Sequence, residues 1–152
     1  RIFFLDELKN YKKDEELLIA MNSEQFDAKK LSYTKSNTPK FEKSNSKSKA
    51  IIKSWSPNKI IIETNLENDN FIGLSEIYYP NWEITSHDID IIQINGLLRG
   101  FVTPIGKHTI VMEFNHNDVK YANMISFFSF IIMLLCILST FLLTKINELF
   151  KK

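Results

Sequence analysis

Residues 124–143, MISFFSFIIMLLCILSTFLL, contain no charged side chain. At ~1.5 Å rise per residue a helix of that length measures about 30 Å, the thickness of the hydrocarbon core of a bilayer. The other home for such a run is the interior of a soluble protein, but a domain of this size has no interior long enough to cover it on all sides. A transmembrane helix over 121–144 is therefore expected, with Tyr121 as an interfacial anchor. Lys145, Lys151 and Lys152 follow it against a single Glu148. By the positive-inside tendency the tail 145–152 is cytoplasmic and everything before residue 120 lies outside, a modest bias because Lys107 and Lys120 stand on the other side.

Within the run, Ala122, Ser126, Ser129, Met133, Cys136 and Thr140 recur at steps of three and four, which puts them on one helical face. Small and hydroxyl side chains allow helices to approach closely in lipid, so this stripe reads as a packing seam against other transmembrane helices; chance spacing of tolerated Ser and Thr is the alternative.

The whole chain has 152 residues, a net charge of +1 and 44% hydrophobic content, which fits one domain plus the span. Near-neutral charge argues against nucleic acid as a partner, since a strongly basic face is its electrostatic footprint. The single cysteine, Cys136, has no partner in the chain, so no intrachain disulfide is expected. The chain opens on RIFFLDELKNY rather than on Met and a signal segment, so it is expected to begin within a longer protein or after processing.

Residues 1–33 read as a strand, RIFFL, leading to a short helix at DEELLIAMN, with acids in its first turn and Leu17, Leu18 and Met21 at helical spacing. The segment 34–49 is polar and lysine-rich, a linker or exposed hairpin loop. Its Lys35, Lys40, Lys43, Lys47 and Lys49 against Glu42 read either as a solvated loop or as a contact for anionic lipid or polymer.

From residue 50 the apolar period changes to two. AIIKSW, NKIIIETN, FIGLSEIYY, WEITS, IDIIQI, LRGFV and HTIVMEF are short β-rich runs separated by turn signals such as Ser56-Pro57-Asn58, Asn95-Gly96 and Pro104-Ile105-Gly106. About seven such strands without interleaved helix predict a mainly β fold, an antiparallel β-sandwich over 50–118.

LSEIYYPNWEI, then INGLLRGFVTPIGKHTIVMEF, then a closing membrane helix, resembles the C-terminal region of the YfhO family of bacterial multi-pass membrane proteins. The resemblance extends to RIFFLDELKNYKKDEELLIAMNSEQFD and leaves 34–50 unmatched. In the family a strand ends in Tyr-Tyr-Pro-Gly-Trp, an Asn is followed shortly by Arg, and a Pro-x-Gly-x-His turn enters the last strand; here those positions are Tyr78 to Trp82, Asn95 and Arg99, and Pro104 to His108. Asn81 replaces the family's Gly, a mild change because Asn tolerates left-handed backbone. TSHDIDII replaces an Asp-Gly hairpin at the sandwich tip. The resemblance implies a parent of GT-C-like glycosyltransferase type in the bacterial cell membrane, moving sugar from a polyprenyl-phosphate donor onto an envelope polymer such as lipoteichoic acid. It places the catalytic carboxylate in an early extracytoplasmic loop outside this chain, and assigns this part no cofactor.

Candidate ligand contacts are Tyr79, Trp82, Asn95, Arg99 and His108. The aromatics offer flat faces to a sugar ring or close the end of the sandwich. Arg99 holds a phosphate by its fork, or serves a sheet edge or corner. His108 reads as a strand-entry residue. His116 and Asp118 alternate like metal ligands but lack a third, so no metal is expected. No paired carboxylates on a helix face, Gly-rich phosphate loop or nucleophile with an oriented base appears. Two classes of function stand: an accessory domain and last span beside upstream helices of a glycosyltransferase, or a stand-alone membrane-anchored sandwich for carbohydrate binding, adhesion or envelope assembly.

Overall fold

The computed structural model describes residues 1–24, 26–115 and 117–149. The chain forms two compact units, Arg1–Phe114 and Asn115–Lys152. Lys151, Lys152 and His116 lie outside the described residues, as do the side chains of Lys145, Glu148 and Asp118, so the tail-charge and His-Asp expectations rest on sequence alone.

The first unit is mainly β, as the alternating pattern predicts. One sheet has the order β1 (Ile2–Leu5), β6 (Asn70–Ile77), β9 (Leu98–Thr103), β8 (Ile92–Ile94); the second has β4 (Lys49–Ser56), β5 (Lys59–Leu66), β10 (Gly106–Phe114), β7 (Trp82–Ile84). Every pairing within these two sheets is antiparallel. A two-stranded ribbon, β2 (Glu7–Asn10) with β3 (Leu31–Thr34), is parallel, and the short helix α1 (Asp14–Met21) connects its strands.

Alternation fills the space between the sheets. Ile60, Ile62 and Leu66 of β5 and Ile110 and Met112 of β10 point inward to meet Ile72, Leu74 and Phe101 of the facing sheet. Each such side chain removed from water contributes roughly 1.5–3 kcal/mol before entropy is counted. All seven expected strands are present as β4 to β10. IDIIQI is shorter than its pattern, because only Ile92–Ile94 pair and residues 85–91 become a loop.

The N-terminal segment is not a separate appendage. β1 is an edge strand of the first sheet, with Phe3 opposite Gly73 and Leu5 opposite Phe71. The ribbon and the loop after it contribute Leu8 and Phe41 to a second cluster with Leu5, Phe71 and Ile94, covering the other face of β6 and β9. That is why Asn70–Leu74 is buried on both faces. The lysine-rich segment is likewise pinned: the Phe41 ring lies 5.3 Å from that of Phe71, and the Glu42 amide donates to the Asp69 carbonyl at 2.7 Å. A linker boundary at 34–49 therefore gives way to one compact unit from Arg1 to Phe114. Sequence reading separated these parts because a polar loop hides two anchoring residues.

The second unit contains α2 (Asn117–Leu149). Within it, Val119–Thr140 is long and apolar enough to cross a membrane, and none of it is buried in the structure.

Candidate functional site

Three of the five expected contact residues converge where β10 ends. The turn Tyr79-Pro80-Asn81-Trp82 closes with the Trp82 amide donating to the Tyr79 carbonyl at 3.1 Å. Proline at the second position presets φ for such a turn. Asn81 is not in the left-handed region, where Asn95 is the one non-glycine among the described residues, so this turn does not need a glycine. Trp82 then pairs in register with Phe114, whose ring meets the indole edge-on at 5.8 Å and the Tyr79 ring at 5.7 Å.

Arg99 lies beneath that indole. On β9 the inward positions are Arg99, Phe101 and Thr103, so the guanidinium enters the end of the core instead of snorkelling to an edge. Its centre lies 4.1 Å over the Trp82 ring, and the residue is 2% exposed. Nε and Nη1 have no hydrogen-bond partner. Burial pulls its pKa below the usual guanidinium value, partly opposed by the charge of Glu76. A desolvated cation–π contact contributes about 2 kcal/mol. Each unsatisfied buried polar atom costs about 1–3 kcal/mol, so the two effects nearly cancel or leave a deficit. In this conformation a phosphate cannot reach the fork unless Trp82 moves.

Asn95 and His108 are elsewhere. Asn95 adopts φ 51° in the β8–β9 turn and is fully engaged by β3: its Oδ1 accepts from the Tyr33 amide at 2.8 Å, its Nδ2 donates to Ser32 Oγ at 3.0 Å, and its amide donates to the Tyr33 carbonyl at 2.7 Å. It is a latch between the ribbon and the hairpin. His108 stands six residues before Phe114 on β10, about 20 Å along the strand. Its Nε2 contacts the Ile105 carbonyl at 3.0 Å, and its ring meets that of His87 edge-on at 5.2 Å.

The structure also assembles a hollow that strand patterning missed. A cavity of about 380 Å³ is lined by Tyr78, Trp82, Glu83, His87, Asp88 and Asp90, among others. Asp88 and Asp90 belong to the TSHDIDII stretch, which the sequence presents as a loop at the sandwich tip, and Glu83 comes from β7. Carboxylates beside an indole accept hydrogen bonds from hydroxyls and repel anions, so the hollow suits a neutral polyol better than a phosphate. Among the described residues, no group of three or more His, Cys, Asp or Glu is placed to hold a metal ion.

On α2, the hydroxyls of Ser129 and Thr140 donate to their own helix, to the carbonyls of Ile125 at 2.9 Å and Ile137 at 2.8 Å. Such back-bonding satisfies the hydroxyl without a neighbour and leaves the face small. Searches against family models, curated proteins and solved structures returned no match.

Proposed function

We propose that the chain is the extracytoplasmic accessory sandwich and last membrane helix of a YfhO-like polytopic protein, whose GT-C-type centre transfers sugar from a polyprenyl-phosphate donor to a cell-envelope polymer. Its part in that reaction is to hold a sugar-bearing ligand beside an active site supplied by upstream helices. The observation that carries the reading is sequential. The strand β10, whose last residue Phe114 packs on the aromatic turn, ends there, and the helix α2 begins at Asn117. A domain on so short a connection stays at the bilayer surface, where a lipid-linked donor also resides. The resemblance over 74–114 supplies the reaction class, and the acidic hollow beside Trp82 supports a hydroxyl-rich ligand.

The test is glycopolymer synthesis by membranes carrying the full-length parent. Glu83→Gln, Asp88→Asn and Asp90→Asn together should lower transfer while the protein remains inserted and folded. Unchanged transfer would remove the hollow from the reaction. Sidedness is checked in a Cys136→Ser background with an impermeant thiol reagent on whole cells, which should label Ser46→Cys and not Lys151→Cys; the reverse pattern overturns the orientation.

The same hollow also favours a second reading, a stand-alone anchored sandwich that binds carbohydrate. Many in-frame hydrophobic spans before Arg1 support the first reading, and a signal peptide there supports the second.

A further inference from the structure

Besides Leu18 and Ile19 on α1, Ile51 on β4 and Ile105, the first unit exposes a group of four large apolar side chains that stand together. Ile77 (65% exposed), Tyr79 (54%), Leu97 (55%) and Trp55 (47%) are all large and apolar, and all belong to one end of the sandwich. Phe114 leaves the second sheet at that end. The placement follows from contacts within the unit: Tyr79 meets Phe114, the Tyr78 amide donates to the Leu97 carbonyl at 2.7 Å, and the Arg1 guanidinium lies 4.9 Å over the Trp55 ring. Ile77, Tyr79, Trp82 and Phe114 share one shallow hollow with Pro57 and Asn58 of the β4–β5 turn.

The opposite end has the other character. There the β5–β6 loop meets the β9–β10 turn, with Asp69 Oδ1 accepting from the Ile105 amide at 2.8 Å. Exposed Lys43, Lys47, Lys49 and Lys107 cluster around it, with Ile51 and Ile105 as exposed apolar side chains but no exposed aromatic ring among the described residues. At the aromatic end the exposed cations are paired, Arg1 with Glu76 at 4.0 Å and Lys59 with Glu113 at 2.7 Å.

Val119, the first residue of the apolar stretch, is five positions after Phe114, so the chain between them spans at most about 17 Å. Aromatic rings with one polar edge, and Trp and Tyr above all, partition to the boundary between headgroups and acyl chains.

We infer that the end of the sandwich formed by Trp55, Ile77, Tyr79 and Leu97 is a lipid-binding surface that seats in the interfacial layer of the bilayer crossed by α2. This rests on the reading of α2 as a transmembrane helix. The partner is the headgroup–acyl boundary itself, and zwitterionic lipid suffices because the exposed cations Arg1 and Lys59 at this end are already paired with carboxylates. Seating fixes the tilt of the domain and turns its lysine-bearing end away from the membrane.

The test uses the full chain with Cys136→Ser in phosphatidylcholine vesicles, and nitroxide labels placed singly at Ile77→Cys, Leu97→Cys and Ile105→Cys. Flotation with the vesicles first establishes insertion; a chain that does not float removes the transmembrane reading and this inference with it. In a floating chain, the labels at 77 and 97 should collide with oxygen several-fold more, relative to a water-soluble nickel chelate, than the label at 105. Equal nickel access at all three sites overturns the seating and leaves the span intact. Protection of 77 and 97 from both reagents assigns the surface to a second protein copy and overturns it equally. Tyr79→Ser, a change at an exposed position, should raise nickel access at 97 without altering the melting of the domain.

Discussion

At the scale of single residues, Arg99 and Trp82 are the pair whose roles the structure changes most. A guanidinium with two unpaired nitrogens, held under an indole and shut off from water, is tolerated by the fold and contributes little net stability. Replacing a buried charge by a well-packed apolar chain of similar length is often neutral or stabilising. Arg99→Met should therefore leave the thermal midpoint of the first unit unchanged or raise it, as read by circular dichroism melts; a large fall would show that an unseen partner satisfies the arginine. Trp82→Ala acts in the opposite direction. The indole packs against the central core and covers Arg99, so its removal opens a cavity and admits water to the charge. A loss of about 3 kcal/mol or more is expected from denaturant unfolding, and an unchanged midpoint would instead mark the ring as a free ligand platform.

A tighter constraint sits at Gly100, opposite Gly73 in the β6–β9 ladder. A methyl group there would stand 2.3 Å from the Phe71 ring and 2.9 Å from the backbone oxygen of Ile72. The ring can shift but the carbonyl cannot, so Gly100→Ala should destabilise by about 1–3 kcal/mol in the same assay.

At the scale of elements, α2 carries the clearest expectation. Its small face has hydroxyls already satisfied within the helix, so close approach of a neighbouring helix costs no hydrogen bond. If the proposed parent supplies upstream helices, Ser129→Leu should weaken co-purification of α2 with them in a split-protein assay, whereas Leu134→Ala, off the seam, should not. Equal effects from the two changes would remove the seam.

At the scale of the whole molecule, the first unit depends on its N-terminal thirty-odd residues. β1 pairs with β6 along its full length, and Leu5, Leu8 and Phe41 cover the rear face of the first sheet. A fragment from residue 48 to 118 should therefore expose that face and fail to melt cooperatively, while 1–115 should fold. Cooperative unfolding of the shorter piece with native stability would show that β1 and the ribbon are dispensable.

Periodicity and turn chemistry were enough to read β4 to β10, because an alternating strand with one face in a core must display that alternation in its sequence. The apolar helix was legible for the same kind of reason, since an uncharged run of that length has few places to go. Aromatic turn residues, Asn95 and Arg99 were visible as chemical types. Their surroundings were not: whether Arg99 faces water or an indole depends on which strand of the opposite sheet crosses it. The parallel ribbon and the anchoring of the lysine-rich loop by Phe41 arise from contacts between segments distant in the chain, and the acidic hollow from a fold-back of residues 78–91 that strand periodicity does not record. Local pattern records how each segment prefers to bury its own face. Only the tertiary structure decides which faces meet, and here that decision gathers Trp55 and Tyr79 at one end of the sandwich and Lys43, Lys47, Lys49 and Lys107 at the other.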